Sequence, residues 1–240
     1  MGNLILRAYT RILNFIQCPR KKKAKYELEY WENREETEGS LSHRHYEYFY
    51  TTHFSIDKSF FNGKKILDIG CGPRGSLEWA DKASERVGLD PLIPSYRKLG
   101  IDAHKMKYVN ALAERIPFSD GYFDIVSSFN SLDHVDNLDQ TVKEIIRVIA
   151  PGGLFLLLVN VNHAPTVTEP IVFSWDVIEK FTPYLELIEE KHYEKSAGGI
   201  YESIRVNIPF DHSNKSKRHG VLSAKFIKRQ EGIYQKHNEE

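Results

Sequence analysis

Short apolar runs alternate with segments of mixed polarity through the middle of the chain. The runs predicted to be strands cover residues 66–69 and 153–161. Residues 77–83, 91–99 and 141–149 are predicted helices, the last with Val142 and Ile145 on one apolar face. Strands that alternate with helices predict a doubly wound α/β sheet, in which ligands bind beyond the carboxyl ends of the strands.

The first predicted strand leads directly into a glycine-rich turn. Gly70 and Gly72 allow the backbone to take positive φ or to approach a ligand closely, and Ser76 is a candidate N-cap for the helix that follows. Strand, turn and helix start then place free N–H groups at the positive end of a helix dipole. The turn therefore predicts a site for a nucleotide-like ligand.

Two ligand classes compete for this turn. Gly70 and Gly72, with Gly75, satisfy the dinucleotide pattern G-x-G-x-x-G, and Asp90 follows at roughly the ~20-residue distance expected for a ribose-binding acid. Asp68, however, would repel the phosphates of a dinucleotide, whereas it would attract the cationic sulfonium and ammonium groups of S-adenosylmethionine. The run from Asp68 to Gly72 resembles motif I of the class I S-adenosylmethionine-dependent methyltransferases.

This resemblance continues in order along the chain as far as Gly153, and it implies the second, third and fourth strands at 86–90, 108–111 and 121–128. It implies that Asp68 and the glycine turn hold the methionine end of the cofactor, that Asp90 accepts hydrogen bonds from both ribose hydroxyls, and that residues 110–112 hold adenine. The cofactor-binding residues that it implies are Asp68, Gly70, Cys71, Gly72, Asp90, Pro91, Asn110, Ala111, Leu112 and Asn130.

Two positions depart from the family pattern. Arg74, after the stiff Pro73, stands where a third glycine is usual, so the backbone donors of the turn are arranged differently. Asn110 stands where an aspartate is frequent, but its side-chain oxygen can still accept a hydrogen bond from the adenine amino group. Neither change removes the chemistry of the site.

The resemblance also implies the fold and its divisions. The fold expected is Rossmann-like: a doubly wound, seven-stranded, mainly parallel sheet with its last strand antiparallel, plus an N-terminal helical arm. Strand six is predicted at 185–192 and the antiparallel strand at 224–228, with 199–209 an inserted strand or a piece of a lid. The predicted divisions are an arm or lid at 1–61, a methyltransferase domain at 62–230 with insertions at 163–173 and 196–219, and a tail at 231–240.

Composition narrows the class of partner and the compartment. Lys plus Arg and Asp plus Glu both number 33 in 240 residues, so no global charge favours nucleic acid. Cys18 and Cys71 lie far apart without a C-x-x-C or His/Cys cluster, so neither a disulfide framework nor a metal site is predicted, and a reducing cytoplasm fits best. No apolar run approaches the ~18 residues of a membrane span.

The segment before the predicted domain has a basic part and an aromatic part. Residues 4–16 have helical apolar spacing and precede a basic run at 20–25. A helix docked on the domain, or on a second subunit in a homodimer, is favoured over peripheral contact with an anionic membrane surface. Residues 26–61 are rich in aromatic side chains, which form either a substrate-facing lid or plain helix-to-sheet packing.

Candidate residues for the methyl acceptor follow the fourth and fifth strands. His134 could take a proton from a hydroxyl or an amine, with Asp133 or Asp136 orienting it, and His163 is a second candidate base. Loops after the fifth strand commonly carry substrate contacts. The candidate substrate-binding residues are Tyr46, Tyr50, Asp133, Asn162 and Glu169.

The predicted function is in-line methyl transfer from S-adenosylmethionine to a small molecule or a saccharide. Oxygen is favoured as the acceptor atom because the aromatic segment carries neutral polar groups rather than charge of one sign. N-methylation of a metabolite is the next alternative. A nicotinamide-dependent oxidoreductase and a non-catalytic subunit with a methyltransferase fold are the alternatives from other classes.

Overall fold

The computed structural model describes residues 19–230. The predictions for the helix at 4–16, for Cys18 and for the tail at 231–240 lie outside these residues. Seven strands form one sheet in the order β3-β2-β1-β4-β5-β7-β6. The strands are β1 (Lys65–Ile69), β2 (Glu85–Leu89), β3 (Lys107–Val109), β4 (Phe123–Phe129), β5 (Ile149–Val161), β6 (Leu185–Glu194) and β7 (Gly220–Lys228).

The directions of the strands confirm the predicted doubly wound fold. The pairs from β3 across to β5 are parallel, whereas β7 runs antiparallel to both of its neighbours, β5 and β6. The centre of β5, from Phe155 to Val159, is fully buried, as expected for a continuous apolar run in the middle of a sheet covered on both faces.

Five helices accompany this sheet within residues 19–230: α1 (Pro19–Glu38), α2 (Tyr46–Tyr50), α3 (Ile93–Tyr96), α4 (Leu138–Val148) and α5 (Ile200–Val206). The helix α4 begins where the Asn137 side chain accepts a hydrogen bond from the backbone N–H of Gln140 at 3.0 Å, and it buries Val142 and Ile145. The helix predicted at 141–149 is thus confirmed, with an earlier start. None of the helices in the described part of the chain is long and apolar enough to cross a membrane.

One predicted helix is wrong, and so is the strand alternative for a later segment. Residues 77–83 form turns rather than a helix, so Ser76 caps no helix. Only residues 76–84 separate the glycine turn from β2. A helix rises about 1.5 Å per residue, so a helix formed by these residues would be too short to run back along a strand of about 16 Å and still leave a turn at each end. Residues 199–209, predicted as an inserted strand or lid piece, contain helix α5 instead of a strand.

The aromatic segment covers the sheet face where that missing helix would have packed. Phe49, Tyr50, Phe54 and Phe61 are almost completely buried, in one apolar cluster with side chains of β1, β4 and β5. Most of the aromatic side chains of residues 46–61 are therefore core, as in the packing alternative. Helix α4 lies on the other side of the sheet, in a second cluster.

Candidate functional site

A cavity of about 780 Å³ opens between the carboxyl ends of β1, β2 and β4 and the N-terminal helix α1. The sheet side consists of the glycine turn, Asp90 after β2, residues 112–114, and the segment that follows β4. Helix α1 forms the opposite side with aromatic and charged side chains. The cavity therefore has a sheet wall and an arm wall, and it lies where ligands bind in doubly wound sheets.

The glycine turn has no room for side chains at two of its positions. Gly70 has φ +70°, and a Cβ atom there would overlap the side chain of Ser131. Gly72 has φ +57°, and a Cβ atom there would lie 2.8 Å from Trp31 of α1. The turn thus brings bare backbone to the cavity and to the arm, as predicted from the two glycines.

Asp68 reaches the cavity from β1 and is only 4% exposed. Its carboxylate accepts hydrogen bonds from Ser76 and, at 2.8 Å, from Ser127, whose hydroxyl lies 3.1 Å from that of Tyr50. Burial raises the pKa of Asp68 to about 6, although these donors stabilise its charged form. Ser76 thus orients Asp68 rather than capping a helix.

Asp90 follows β2 and is 7% exposed. Its two oxygens accept backbone N–H groups of Leu92 at 2.8 Å and Gly72 at 3.3 Å, so the carboxylate holds the glycine turn from its own loop. Burial raises its pKa to about 7, against these hydrogen bonds. Glu27 of α1 adds to the rise, and His134 opposes it. Two poorly hydrated carboxylates therefore face one cavity.

The arm wall is attached by charged side chains that sequence reasoning did not single out as contacts. The guanidinium of Arg74, 7% exposed, donates to both carboxylate oxygens of Glu38 at 2.7 and 2.6 Å. It also lies 5.5 Å from the Trp31 ring centre. At the other end of α1, Lys23 and Arg20 pair with Asp136 at 2.5 Å. In the sequence, the only sign of this attachment is that Arg74 stands where the family pattern usually has a glycine.

His134 lies among carboxylates at the edge of the cavity. Its Nδ1 is 3.5 Å from Glu27, and its Nε2 is 3.7 Å from Asp133 and 3.8 Å from Glu169. Burial alone would lower the pKa of His134, but Glu27, Asp133 and Glu169 together raise it to about 9. Burial raises the pKa of the fully buried Asp133.

The family now follows from comparison with known proteins. Residues 67–157 match the family described as "Methyltransferase domain". Over these residues the chain is similar to the class I S-adenosylmethionine-dependent methyltransferases. The match begins in β1 and ends within β5, so it includes Asp68, the glycine turn and Asp90. It favours a methyltransferase over the nicotinamide-dependent alternative.

Individual relatives differ in the atom named as methyl acceptor. The chain is 34% identical to the chloroplastic tocopherol O-methyltransferase of Arabidopsis thaliana over 122 residues, which are 47% of this chain and 35% of that protein. It is 32% identical to the ubiquinone/menaquinone biosynthesis C-methyltransferase UbiE of Vibrio parahaemolyticus over 139 residues, 51% of each. The chain thus spans about half or less of the length of these curated relatives.

A solved structure agrees at the level of the fold. The N-methyltransferase NodS from Bradyrhizobium japonicum, in complex with S-adenosyl-L-homocysteine, superposes with a TM-score of 0.53 at 15% sequence identity. The superposition covers 77% of this chain and 85% of that one. O-, C- and N-methyltransferases all occur among these similar proteins, so family membership leaves the acceptor atom open.

The methyltransferase domain brings many of the predicted site residues to one cavity and leaves others away from it. Those on its wall are Asp68, Gly70, Cys71, Gly72, Asp90, Pro91, Leu112, Asn130, His134, Tyr46 and Glu169. Those that do not line it are Asn110, Ala111, Tyr50, Asp133, Asn162 and His163. Asn110 is exposed, and the Asn162 backbone N–H donates to Phe173 at 2.7 Å. Their predicted roles stay predictions.

Proposed function

We propose that this domain transfers a methyl group from S-adenosylmethionine to an oxygen atom of a small molecule or a saccharide. One observation carries the proposal: Asp68 and Asp90, both nearly buried, face the same cavity from neighbouring parallel strands. Two carboxylates in one poorly hydrated cavity favour a cationic ligand and disfavour a pyrophosphate.

The residues present fit this cofactor. The backbone at Gly70 and Gly72 lines the same cavity as the two carboxylates and carries no side chain there. We assign Asp68 and the turn from Gly70 to Gly72 to the methionine end, and Asp90 to the ribose hydroxyls. Leu112, on the cavity wall, would cover adenine, with Asn110 and Ala111 just before it in the same loop.

The size and cover of the cavity support a small acceptor. A volume of about 780 Å³ lies in the range of small-molecule sites, about 300–1,000 Å³. Helix α1 covers the cavity, so a macromolecular acceptor would meet the arm before the cofactor. Tyr46, Asn130 and Glu169 line the remaining wall and are our candidates for contact with the acceptor.

The chain's own residues mainly bind, orient and exclude water. When bound, S-adenosylmethionine would supply a methyl group already activated by its positively charged sulfur. The sulfur would keep the electron pair of the broken carbon–sulfur bond, and an acceptor hydroxyl that takes the methyl group would release its proton to solvent. The carboxylate of Asp68 compensates positive charge in a site that α1 shields from water. Alignment of the acceptor then supplies most of the rate enhancement. The support for oxygen as the acceptor atom is the similarity to an O-methyltransferase.

Calorimetric titration with S-adenosylmethionine tests the proposal. Asp90→Ala removes the two charge-assisted hydrogen bonds to ribose, which costs on the order of 2 to 4 kcal/mol, or roughly thirty- to a thousand-fold in affinity. The matched control is Asp81→Ala, an exposed aspartate away from the cavity, which should leave the affinity unchanged. Unchanged affinity in Asp90→Ala, or no binding by the wild-type chain, would show the proposal to be wrong.

A further inference from the structure

Two histidines and two carboxylates converge beside the cavity in an arrangement that methyl transfer from the cofactor does not require. His134 Nε2 lies 3.7 Å from one oxygen of Asp133 and 3.8 Å from Glu169. His163 Nε2 lies 3.6 Å from the other Asp133 oxygen. One donor atom each from Asp133, His134 and Glu169 lies within 4.8 Å of the others. The four side chains define the Asp133 cluster.

The polar atoms that face the centre of this cluster lack partners. Within the described residues 19–230, both oxygens of Asp133 and the Nε2 atoms of His134 and His163 are buried without a hydrogen bond. Asp133 is 0% exposed and His163 is 8% exposed. An unpaired buried carboxylate is costly, so these atoms are suited to a group that they all contact.

The opposite nitrogen of each ring shows which tautomer the surroundings favour. His163 Nδ1 lies 2.9 Å from the carbonyl oxygen of Ala164, which can only accept, so Nδ1 carries the hydrogen and Nε2 has a free lone pair. His134 Nδ1 faces Glu27, whose other oxygen accepts the Trp31 indole N–H at 3.1 Å. Metal-binding histidines typically have this pattern, with the second nitrogen held by an oxygen acceptor.

Distances and charge also suit a cation. Two ligand atoms around a tetrahedral ion are about 3.4 Å apart. The distances of 3.6 to 3.8 Å between the histidine Nε2 atoms and the carboxylate oxygens are too long for hydrogen bonds but close to this spacing. Asp133, Glu169 and Glu27 bring three carboxylates to the cluster. The nearby Lys195 donates its hydrogen bond to Asn160 at 2.5 Å, rather than to these acids.

We propose that the Asp133 cluster binds one divalent first-row transition-metal ion, with Asp133, His134 and Glu169 as ligands and His163 beside the second oxygen of Asp133. Imidazole and carboxylate ligands together favour Zn²⁺, Mn²⁺ or a similar ion over Ca²⁺. The ligands come from two loops, after β4 and after β5, which is why the sequence, read for short Cys and His spacings, predicted no metal site. His134 then acts as a ligand.

The ion site goes beyond the proposed methyl transfer and does not depend on it. Because His134 and Glu169 line the cavity, an ion there could also bind an acceptor oxygen and lower the pKa of its proton. That second role does rest on the proposed function. The rival interpretation is an ion pair only, in which a protonated His134 lies among carboxylates and no metal binds.

Titration of the chelator-treated full chain with Co²⁺, followed by visible absorption, separates these interpretations. We expect saturation at one Co²⁺ per chain with ligand-field bands, and at least tenfold weaker binding in Asp133→Asn and in Glu169→Gln. Asp139→Asn, an exposed aspartate on α4, is the matched control and should bind as the wild type does.

Each result decides the matter. No saturable Co²⁺ binding by the wild type would mean an ion pair only, and wild-type affinity in Glu169→Gln would equally overturn the site. Glu169 is 28% exposed at the cavity edge, so its variant remains informative if Asp133→Asn does not fold. The readout needs no S-adenosylmethionine. A failure to bind cofactor in the calorimetric test would therefore not affect the conclusion about the metal. A failure to bind Co²⁺ would likewise not affect the conclusion about the cofactor.

Discussion

The sheet wall and the arm wall of the cavity are built by different means. The sheet wall depends on strand register and on a turn whose backbone is fixed by glycines and by Asp90. The arm wall is a helix attached through side-chain ion pairs, chiefly Arg74 with Glu38 and Lys23 with Asp136. The strands and turns of the sheet wall lie within the residues that match the methyltransferase family, whereas α1 lies outside them, so we infer that the arm wall is where acceptor selection can vary.

The largest effect should come from closing the space at the sheet wall. Gly70→Ala combines φ +70° with overlap on Ser131, and should destabilise the fold by about 3 kcal/mol or more in urea unfolding. Gly63→Ala is the matched control, because Gly63 has φ +69° and nothing within 4 Å of an added Cβ atom. It should cost only the backbone strain, about 1–2 kcal/mol. Equal costs would contradict the close packing of the turn.

The next effect tests the attachment of the arm wall. Arg74→Gln removes a buried two-point ion pair to Glu38 and should cost about 1–3 kcal/mol, with faster release of S-adenosylmethionine in stopped-flow displacement. Arg34→Gln removes a half-exposed partner of the same carboxylate and should cost less than about 0.5 kcal/mol. If both variants released cofactor at the wild-type rate, α1 would not be a cover for the site.

The smallest effect concerns stability and pH on the sheet wall. Burial raises the pKa of Asp90 from its ordinary value of 3.8 to about 7 in the folded chain, so the folded chain keeps this proton where the unfolded chain has lost it. The protonated Asp90 side chain therefore makes its whole contribution to the free energy of unfolding below about pH 4, and this contribution is lost as the pH rises through 7. The full shift corresponds to roughly 4 kcal/mol, but Asn has one acceptor oxygen for the two backbone N–H groups and so recovers only part of it. Asp90→Asn should therefore be about 1 kcal/mol more stable than wild type at pH 8, and no more stable at pH 4.

Cofactor affinity should depend on pH in the opposite sense. The ionised form of Asp90 is the better acceptor for ribose hydroxyls, so wild-type affinity for S-adenosylmethionine should weaken as the pH falls below about 7. The groups that face Asp90 are Glu27 from α1 and His134 after β4, and the first raises its pKa while the second lowers it. Calorimetry at pH 6 and pH 8 measures the change, and in Asp90→Asn it should be much reduced.

Sequence reasoning worked where local chemistry determines structure. The strands, the positive φ at Gly70 and Gly72 and the burial of Asp68 could be predicted because apolar runs, glycines and an acid at the end of a strand have few alternatives. The reversed strand β7 could be predicted only through the family resemblance, because its apolar run alone does not indicate direction.

The arm wall and the Asp133 cluster could not be predicted in the same way. Helix α1 is polar around most of its surface, so no apolar stripe shows that Trp31 lies on Gly72 or that Glu27 faces His134. Residues 77–83 form no helix, and Phe54 with its aromatic neighbours packs on the sheet instead. Tertiary packing, rather than local sequence, determines this difference. Contacts between residues far apart in the chain carry no local pattern.

The most direct test of the central claim is a crystal structure of the chain with S-adenosylmethionine. We expect the ribose hydroxyls within hydrogen-bond distance of Asp90 and the methionine end against Asp68 and the turn from Gly70 to Gly72, with α1 above the ligand. A cofactor bound away from both carboxylates, or a phosphate group seated in the glycine turn, would contradict the account.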